Sequence, residues 1–236
     1  KGKRAVIDGG LQSDEGSIAI EGSANWQDLT AWRADVDLDG QKLNLQSDPL
    51  QESEVNHQIQ IRARPGVIRI DGDIEIPMAS IDVEDLPQGA ASVSSDVVIV
   101  EDIEENQREE AANPPSDTKL QIALSINLGD EVNLSAYGLT ARLTGDMDVR
   151  MTSPKPVQLG GEIEVVDGIY KQYGQNLQAD GQILFVGPVN QTRLAIDAVR
   201  EIDTEDPTRT AGLRITGTVA APEITLFTEP DDKSED

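Results

Sequence analysis

The chain has 236 residues, of which 19 are basic and 44 acidic, so its formal net charge is −25. Such a negative surface repels nucleic-acid phosphates and argues against simple electrostatic adsorption to an anionic membrane. The absence of cysteine excludes disulfides and thiolate metal sites. Hydrophobic residues make up 37% and aromatic residues only 3% of the chain, which predicts a folded protein with an aliphatic core.

The sequence contains no segment expected to cross a membrane as a helix, because no run of about 20 apolar residues occurs. It starts at Lys1, not at Met, and no apolar signal-peptide region follows. We therefore expect the chain to be a piece of a longer protein, with any targeting segment outside it.

The first motif, "DVDLDGQKLNLQ" at residues 35–46, begins like a calcium-binding loop with aspartates at alternate positions. Its twelfth position, however, is Gln46 where such a loop needs a bidentate glutamate. Apolar residues alternate on both sides of Asp39 and Gly40, so we predict a β-hairpin with its turn there.

The single histidine, His57, lies in "EVNHQIQIRA", in phase with apolar neighbours. It is the only possible base for a nucleophile dyad or triad. Its position on the apolar side of a predicted strand favours a partly buried or rim histidine. No phosphate-binding glycine loop or metal-ligand cluster occurs, so we expect no enzyme activity, no cofactor and no metal site.

A short unit recurs along the chain: apolar and variable residues alternate, with glycine in phase with the apolar positions. A glycine on that face allows a strand to bend sharply or another backbone to approach. The copies are Ile68–Ile70–Gly72–Ile74–Ile76, Ala141–Leu143–Gly145–Met147–Val149, Leu177–Ala179–Gly181–Ile183–Phe185 and the partial Leu213–Ile215–Gly217–Val219.

One stretch departs from this pattern. Residues 101–118, "EDIEENQREEAANPPSDT", are acidic and contain two prolines, which is typical of a solvated loop. Because strands of the same style resume at Lys119, we interpret the stretch as a loop insertion in one continuous β-domain spanning residues 1–236, in preference to a linker between two domains.

The longest regular stretch, "SINLGDEVNLSAYGLTARLTGDMDVR" at residues 125–150, has apolar residues at alternate positions, so one face of the predicted strands is apolar. No segment has the helical periodicity that a covering helix needs. The sequence predicts an all-β fold. The residues leave two architectures equally open: a strongly curved single sheet, or a closed β-sandwich or β-helix.

Several blocks of this sequence resemble the C-terminal domain of TamB-type translocation and assembly module proteins, which are bridge-like, AsmA-related envelope proteins. The blocks are residues 125–150, "GGEIEVVDGIYKQYGQNLQADGQILFVGPVNQTRLAIDAVRE" at 160–201 and "AGLRITGTVAAPEITLFTEPD" at 211–231. "DLPQGAASVSSDVVIVED" at 85–102 resembles the stretch just upstream in that family. The resemblance covers about residues 66–231 and is most specific at "DGIYKQYGQNL" followed by "GQILFVGP".

The resemblance implies one long, strongly curved sheet folded into an open U-shaped groove with an apolar interior. It implies a periplasmic location in the Gram-negative envelope, with an inner-membrane anchor in a segment outside this chain and a TamA-like outer-membrane β-barrel as partner. The implied role is to hold or conduct phospholipid acyl chains during outer-membrane biogenesis. The alternative is a chaperone-like β-scaffold that assists outer-membrane protein assembly or secretion through pairing at strand edges.

We predict that sixteen aliphatic, methionine and phenylalanine side chains line this groove. They are Ile68, Ile70, Ile74, Ile76, Leu120, Ile122, Leu124, Ile126, Leu128, Leu143, Met147, Val149, Ile183, Phe185, Leu213 and Ile215.

Overall fold

The chain folds almost entirely into β-strands. The computed structural model describes residues 3–12, 16–47, 50–83, 118–136, 138–172, 174–202 and 209–229. In these ranges the only helical element is a three-residue 3-10 turn, Val189–Gln191. The strands are β1 (Arg4–Gln12), β2 (Ser17–Asn25), β3 (Arg33–Ser47), β4 (Leu50–Arg64), β5 (Val67–Val83), β6 (Lys119–Ala136), β7 (Leu139–Thr152), β8 (Gln158–Gln172), β9 (Gln175–Gly187), β10 (Arg193–Ile202), β11 (Arg209–Thr218) and β12 (Ala221–Glu229).

All twelve strands belong to one sheet, in which they follow their order in the sequence from β1 to β12. The sheet is not closed, because β1 and β12 are its two edges. The prediction of an all-β single sheet is confirmed, and neither a closed β-sandwich nor a β-helix describes this topology.

Neighbouring strands are antiparallel, except that β5 and β6 are parallel. Val67 pairs with Lys119 and Val83 with Ala136, so the end of β5 and the start of β6 lie at opposite ends of the sheet. The predicted acidic insertion at residues 101–118 falls in this connection. Apart from Thr118 it lies outside the described residues.

The predicted hairpin at Asp39 and Gly40 is wrong, because β3 continues through both residues to Ser47. The register between β3 and β4 shifts between Gly40 and Leu43, which marks a β-bulge. Lys42 has a φ of 55° there, and its backbone N–H donates to the Asn56 side chain. Gly40 and the left-handed Lys42 therefore form a β-bulge within one strand, and the chain does not reverse direction there.

Similar register shifts occur in six successive strand pairs, from β3–β4 to β8–β9. Bulges bend strands and increase their twist. Beyond the hydrogen-bonded neighbours, β7 approaches β9, and β8 approaches β10, to Cα distances within 8 Å. Strands two apart in a flat sheet are separated by about 9.6 Å. The sheet is therefore sharply bent in this region.

The repeated in-phase glycines lie where neighbouring backbones come close. A Cβ added to Gly145 would overlap the carbonyl oxygen of Glu162, and a Cβ on Gly181 would overlap that of Ala195. Gly145 also has a φ of 130°, which favours glycine. The predicted role of these glycines is confirmed, but the last copy of the repeat is shorter than predicted, because β11 ends at Thr218 and Val219 lies in an exposed turn.

Replacing Gly181 by alanine is expected to destabilise the protein by about 1–3 kcal/mol, because the added methyl group forces the adjacent backbone apart. Urea denaturation measures this change in the free energy of unfolding. Gly9→Ala is the matched control, since a Cβ at Gly9 meets no atom within 4 Å. Equal stability of Gly181→Ala and the wild type would show that the backbones are not in close contact at Gly181.

Burial is concentrated in one part of the sheet. Val132 is 0% and Val165 1% exposed, and both belong to a cluster with Ala79, Leu143 and Ile196. Partly buried side chains pack against this cluster from strands as far apart as β4 and β11. The apolar face of the sheet thus packs against itself there, and we call the region around these five residues the closed half.

Candidate functional site

The candidate site is the apolar face of the sheet outside the closed half. One row of paired residues crosses four strands as Gly72, Leu124, Val149 and Leu159. The next row runs through Val36, Ile61, Ile70, Ile122 and Met151. The side chains in both rows are only partly buried. We call the region around these two rows the open half.

All sixteen predicted groove residues lie on the apolar face of the sheet, but they are divided between its two halves. The pairing joins them in common rows, such as Ile74–Ile126–Met147. Leu143 and Leu213 are buried in core clusters, and the other fourteen are partly exposed. Five of these fourteen pack against the cluster of the closed half: Ile76, Leu128, Ile183, Phe185 and Ile215. The structure thus places these residues on one face of the sheet, while their contact with lipid stays a prediction.

Further residues of the same face were not among the predicted ones. Rows continue from β5 into β4, β3 and β2 through Ile59, Leu38 and Ile20. In β8, Ile163 and Val165 are buried in the closed half. The signal for these residues is the same alternation of apolar and polar positions, which is present in the sequence before residue 66 and in β8.

His57 lies on the apolar face between Gly40 and Ile74, and it is partly buried as predicted. A Cβ on Gly40 would overlap the imidazole ring, so the glycine makes room for it. The Nδ1 atom is buried and has no hydrogen-bond partner. Among the described residues, no hydroxyl or carboxylate forms a hydrogen bond with Nδ1. This nitrogen therefore takes no part in a nucleophile dyad with them.

The opposite face of the sheet is polar and carries most of the charged side chains. The aspartates of the calcium-like motif lie there on a continuous strand, and Asp35 forms an ion pair of 2.8 Å with Arg64. The described part of the chain contains no group of three or more potential metal ligands. These aspartates therefore form the solvated side of β3, in an arrangement unlike a calcium loop.

Asp197 and Arg214 form a bidentate ion pair on the polar face. Two hydrogen bonds of 2.7 and 2.8 Å join the guanidinium to both carboxylate oxygens, and Arg214 lies 4.8 Å from the centre of the Phe227 ring. The hydrogen bonds from Arg214 lower the pKa of Asp197. The pair connects β10 to β11, and the ring contact extends the link to β12.

Asp197→Asn is expected to lower the free energy of unfolding at neutral pH by at most about 1 kcal/mol, because both side chains are well exposed. A lowered pKa in the folded state stabilises the fold fully above the unfolded-state pKa of about 3.9, and this stabilisation is lost as the pH falls from there through the folded-state pKa. The difference between wild type and variant should therefore disappear as the pH falls through the lowered pKa. Urea denaturation at pH 7 and at acidic pH tests this sign, and a difference that grows on acidification would contradict it.

The sequence also matches known proteins. Residues 8–236 match the family described as the TamB C-terminal domain. The chain belongs to this family. A curated relative, "Translocation and assembly module subunit TamB" of Haemophilus influenzae, is 32% identical over 234 residues. The match covers 96% of the chain but only 18% of the relative.

The TamB match starts at residue 8, well before the resemblance at residues 66–231 that the sequence motifs predict. Strands β1 to β4 therefore belong to the same TamB domain as the rest of the sheet. In the described ranges no helix has the length and apolar character needed to cross a bilayer.

Proposed function

We propose that this domain is the periplasmic part of an inner-to-outer membrane bridge, whose apolar groove holds or conducts phospholipid acyl chains. The observation that carries the proposal is the partly exposed apolar face of the open half, which no helix of the described residues covers. A sheet that is bent and continuous over twelve strands supports a groove lined by aliphatic side chains.

The physical mechanism is passive. Each methylene group of an acyl chain contributes about 0.8 kcal/mol when it leaves water, so a continuous apolar face holds a lipid tail without specific contacts. Similar side chains in successive rows, such as Leu124 and Ile126, make neighbouring positions nearly equivalent. A lipid can therefore slide from row to row while its headgroup stays in water. No catalytic residue or cofactor is needed for this process.

The function in the cell is proposed by analogy with the TamB relative. We propose that the longer protein is anchored in the inner membrane and supports outer-membrane biogenesis together with a TamA-like β-barrel. The name of the relative refers to translocation and assembly, which agrees with such a role.

The two edge strands of the sheet that the described residues form favour a second candidate function, a chaperone-like scaffold for outer-membrane protein assembly. All residues of β1 are exposed, and at the other edge Ile224 and Leu226 are 64% and 86% exposed. An edge strand offers unpaired backbone groups to an incoming strand. A scaffold of this kind uses the edges and does not require a lipid in the groove.

Organic-solvent extraction of the purified protein distinguishes the two functions. A lipid-holding groove should yield phospholipid in near-stoichiometric amounts, as measured by mass spectrometry. Absence of lipid from a well-folded sample would contradict the lipid proposal and favour the scaffold.

A further inference from the structure

Basic side chains are concentrated at one end of the polar face, where β1 and β3 begin and β2 and β4 end. Arg4 and Arg33 lie in one row through Asn25. Arg62 pairs directly with Arg69 in the next row, and Lys119 begins β6 at the same end of the sheet. All five basic side chains are exposed. We call this set the basic margin.

The basic margin is only partly neutralised by the described residues: Arg62 lies opposite Asp35, whose carboxylate pairs with Arg64. In the described part of the chain no carboxylate lies within 4.0 Å of Arg4, Arg33 or Lys119. Arg62 and Arg69 donate hydrogen bonds to the amide oxygens of Gln60 and Gln121, and Arg69 reaches Asp71 only at 4.0 Å. Two arginines directly opposite each other destabilise a sheet unless an anion is shared between them.

The loop that joins β2 to β3 lies next to the basic margin and contains both tryptophans of the chain, Trp26 and Trp32. Trp26 is 37% and Leu29 76% exposed. We call residues 26–32 the Trp loop. Tryptophan and leucine beside basic residues are typical of protein segments that lie at the membrane–water interface.

Hydrogen bonds hold the Trp loop in place. The backbone N–H of Trp26 donates to the carbonyl of Lys3, and Asp28 accepts from both the N–H and the hydroxyl of Thr30. Those hydrogen bonds lower the pKa of Asp28, so its carboxylate stays ionised within the loop. The loop presents Leu29 at its tip, and the carboxylate beside it is held by the hydrogen bonds from Thr30.

The opposite end of the polar face carries more exposed carboxylates. Glu52 and Glu131 are exposed there, Arg142 is paired with Asp167, and Lys171 is an exposed lysine at the same end. The end with the basic margin is therefore the better complement to an anionic surface.

We propose that the basic margin and the Trp loop dock onto a phospholipid bilayer that carries anionic headgroups. Guanidinium and ammonium groups bind the headgroup phosphates, while Trp26 and Leu29 enter the interface. The net charge of −25 does not prevent this, because charges beyond about 8–10 Å are largely screened at physiological ionic strength. Of the carboxylates beside the margin, Asp28 accepts hydrogen bonds from Thr30, Asp35 pairs with Arg64, and Asp71 lies 4.0 Å from Arg69. The proposal does not rest on the lipid groove, which occupies the other face of the sheet.

Vesicle binding tests the proposal, with phosphatidylcholine vesicles prepared with and without phosphatidylglycerol. The 236-residue chain should sediment with the anionic vesicles only, and added salt should weaken this binding. Because both tryptophans lie in the Trp loop, a blue shift of the intrinsic emission reports contact of this loop itself. No binding to the anionic vesicles, or equal binding to neutral ones, would overturn the proposal.

Two variants locate the contact. Arg33→Glu/Lys119→Glu should weaken binding by more than about tenfold, and Leu29→Ser should reduce the emission shift. The charge-matched control Lys42→Glu/Lys171→Glu alters exposed lysines outside the basic margin and should bind like the wild type. An equal loss of binding in the control would show that net charge alone drives adsorption, which contradicts a defined docking site. Circular dichroism verifies that each variant is folded. If the charge-reversal variant Arg33→Glu/Lys119→Glu does not fold, the neutral variant Arg33→Gln/Lys119→Gln takes its place.

Discussion

Val132→Asp is expected to unfold the domain. Val132 is fully buried in the closed half, paired in the sheet with Ala79 and Leu143. An aspartate there buries a carboxylate with no cation to pair with, which costs about 3–5 kcal/mol, in addition to the lost apolar contacts. Such a loss is comparable with the whole stability of a typical domain. Circular dichroism and thermal denaturation should show loss of the β signal or a much lower melting temperature.

The neighbouring variant Asn133→Asp is the matched control. Asn133 lies on the polar face, is exposed and pairs with Arg142, so the same carboxylate meets water and a cation. Its stability should stay within about 0.5 kcal/mol of the wild type. A stable Val132→Asp with a normal melting temperature would show that water reaches the closed half and that the sheet does not pack against itself there.

The sequence predicts the apolar face well because strand alternation is strictly local. Ile68, Ile70 and their neighbours follow a period of two, and the structure places them on one face without exception. The same reasoning fails at Asp39 and Gly40. A glycine preceded by an aspartate is typical of a tight turn, but here the glycine accommodates His57 from the next strand. That contact depends on strand pairing, which no local pattern contains.

The division into a closed and an open half could not be predicted from the sequence either. Leu124 and Val132 both lie on the apolar face of β6, in similar sequence patterns. Whether each is buried depends on the bend at the bulges and on the strands that the bend brings together. Likewise, Arg4, Arg33 and Lys119 are far apart in the sequence, and only the register of β1 to β6 places them at one end of the sheet.

Leu124→Asp is expected to leave the fold intact but to lower the amount of bound phospholipid severely. Leu124 lies in the same strand as Val132, yet its side chain is only partly buried and its neighbours in the row are Gly72 and Val149. A carboxylate in the open half can remain hydrated, so the large desolvation cost expected at Val132 does not arise. It nevertheless interrupts the apolar path, since a passing acyl chain must remove water from the charge.

The comparison of Leu124→Asp with a control on the polar face separates lipid binding from stability. Ser125 is unsuitable as the control, because it lies between Asp73 and Asp148 and a third carboxylate would repel both. Ala123→Asp is better, since Ala123 is exposed and lies between Asp71 and Arg150, so the new carboxylate has a cation on one side. Thermal melts should show both variants folded, and solvent extraction should show the normal lipid load only in Ala123→Asp. An unfolded Leu124→Asp would contradict an open groove, whereas a folded Leu124→Asp with its full lipid load would contradict transport along this face.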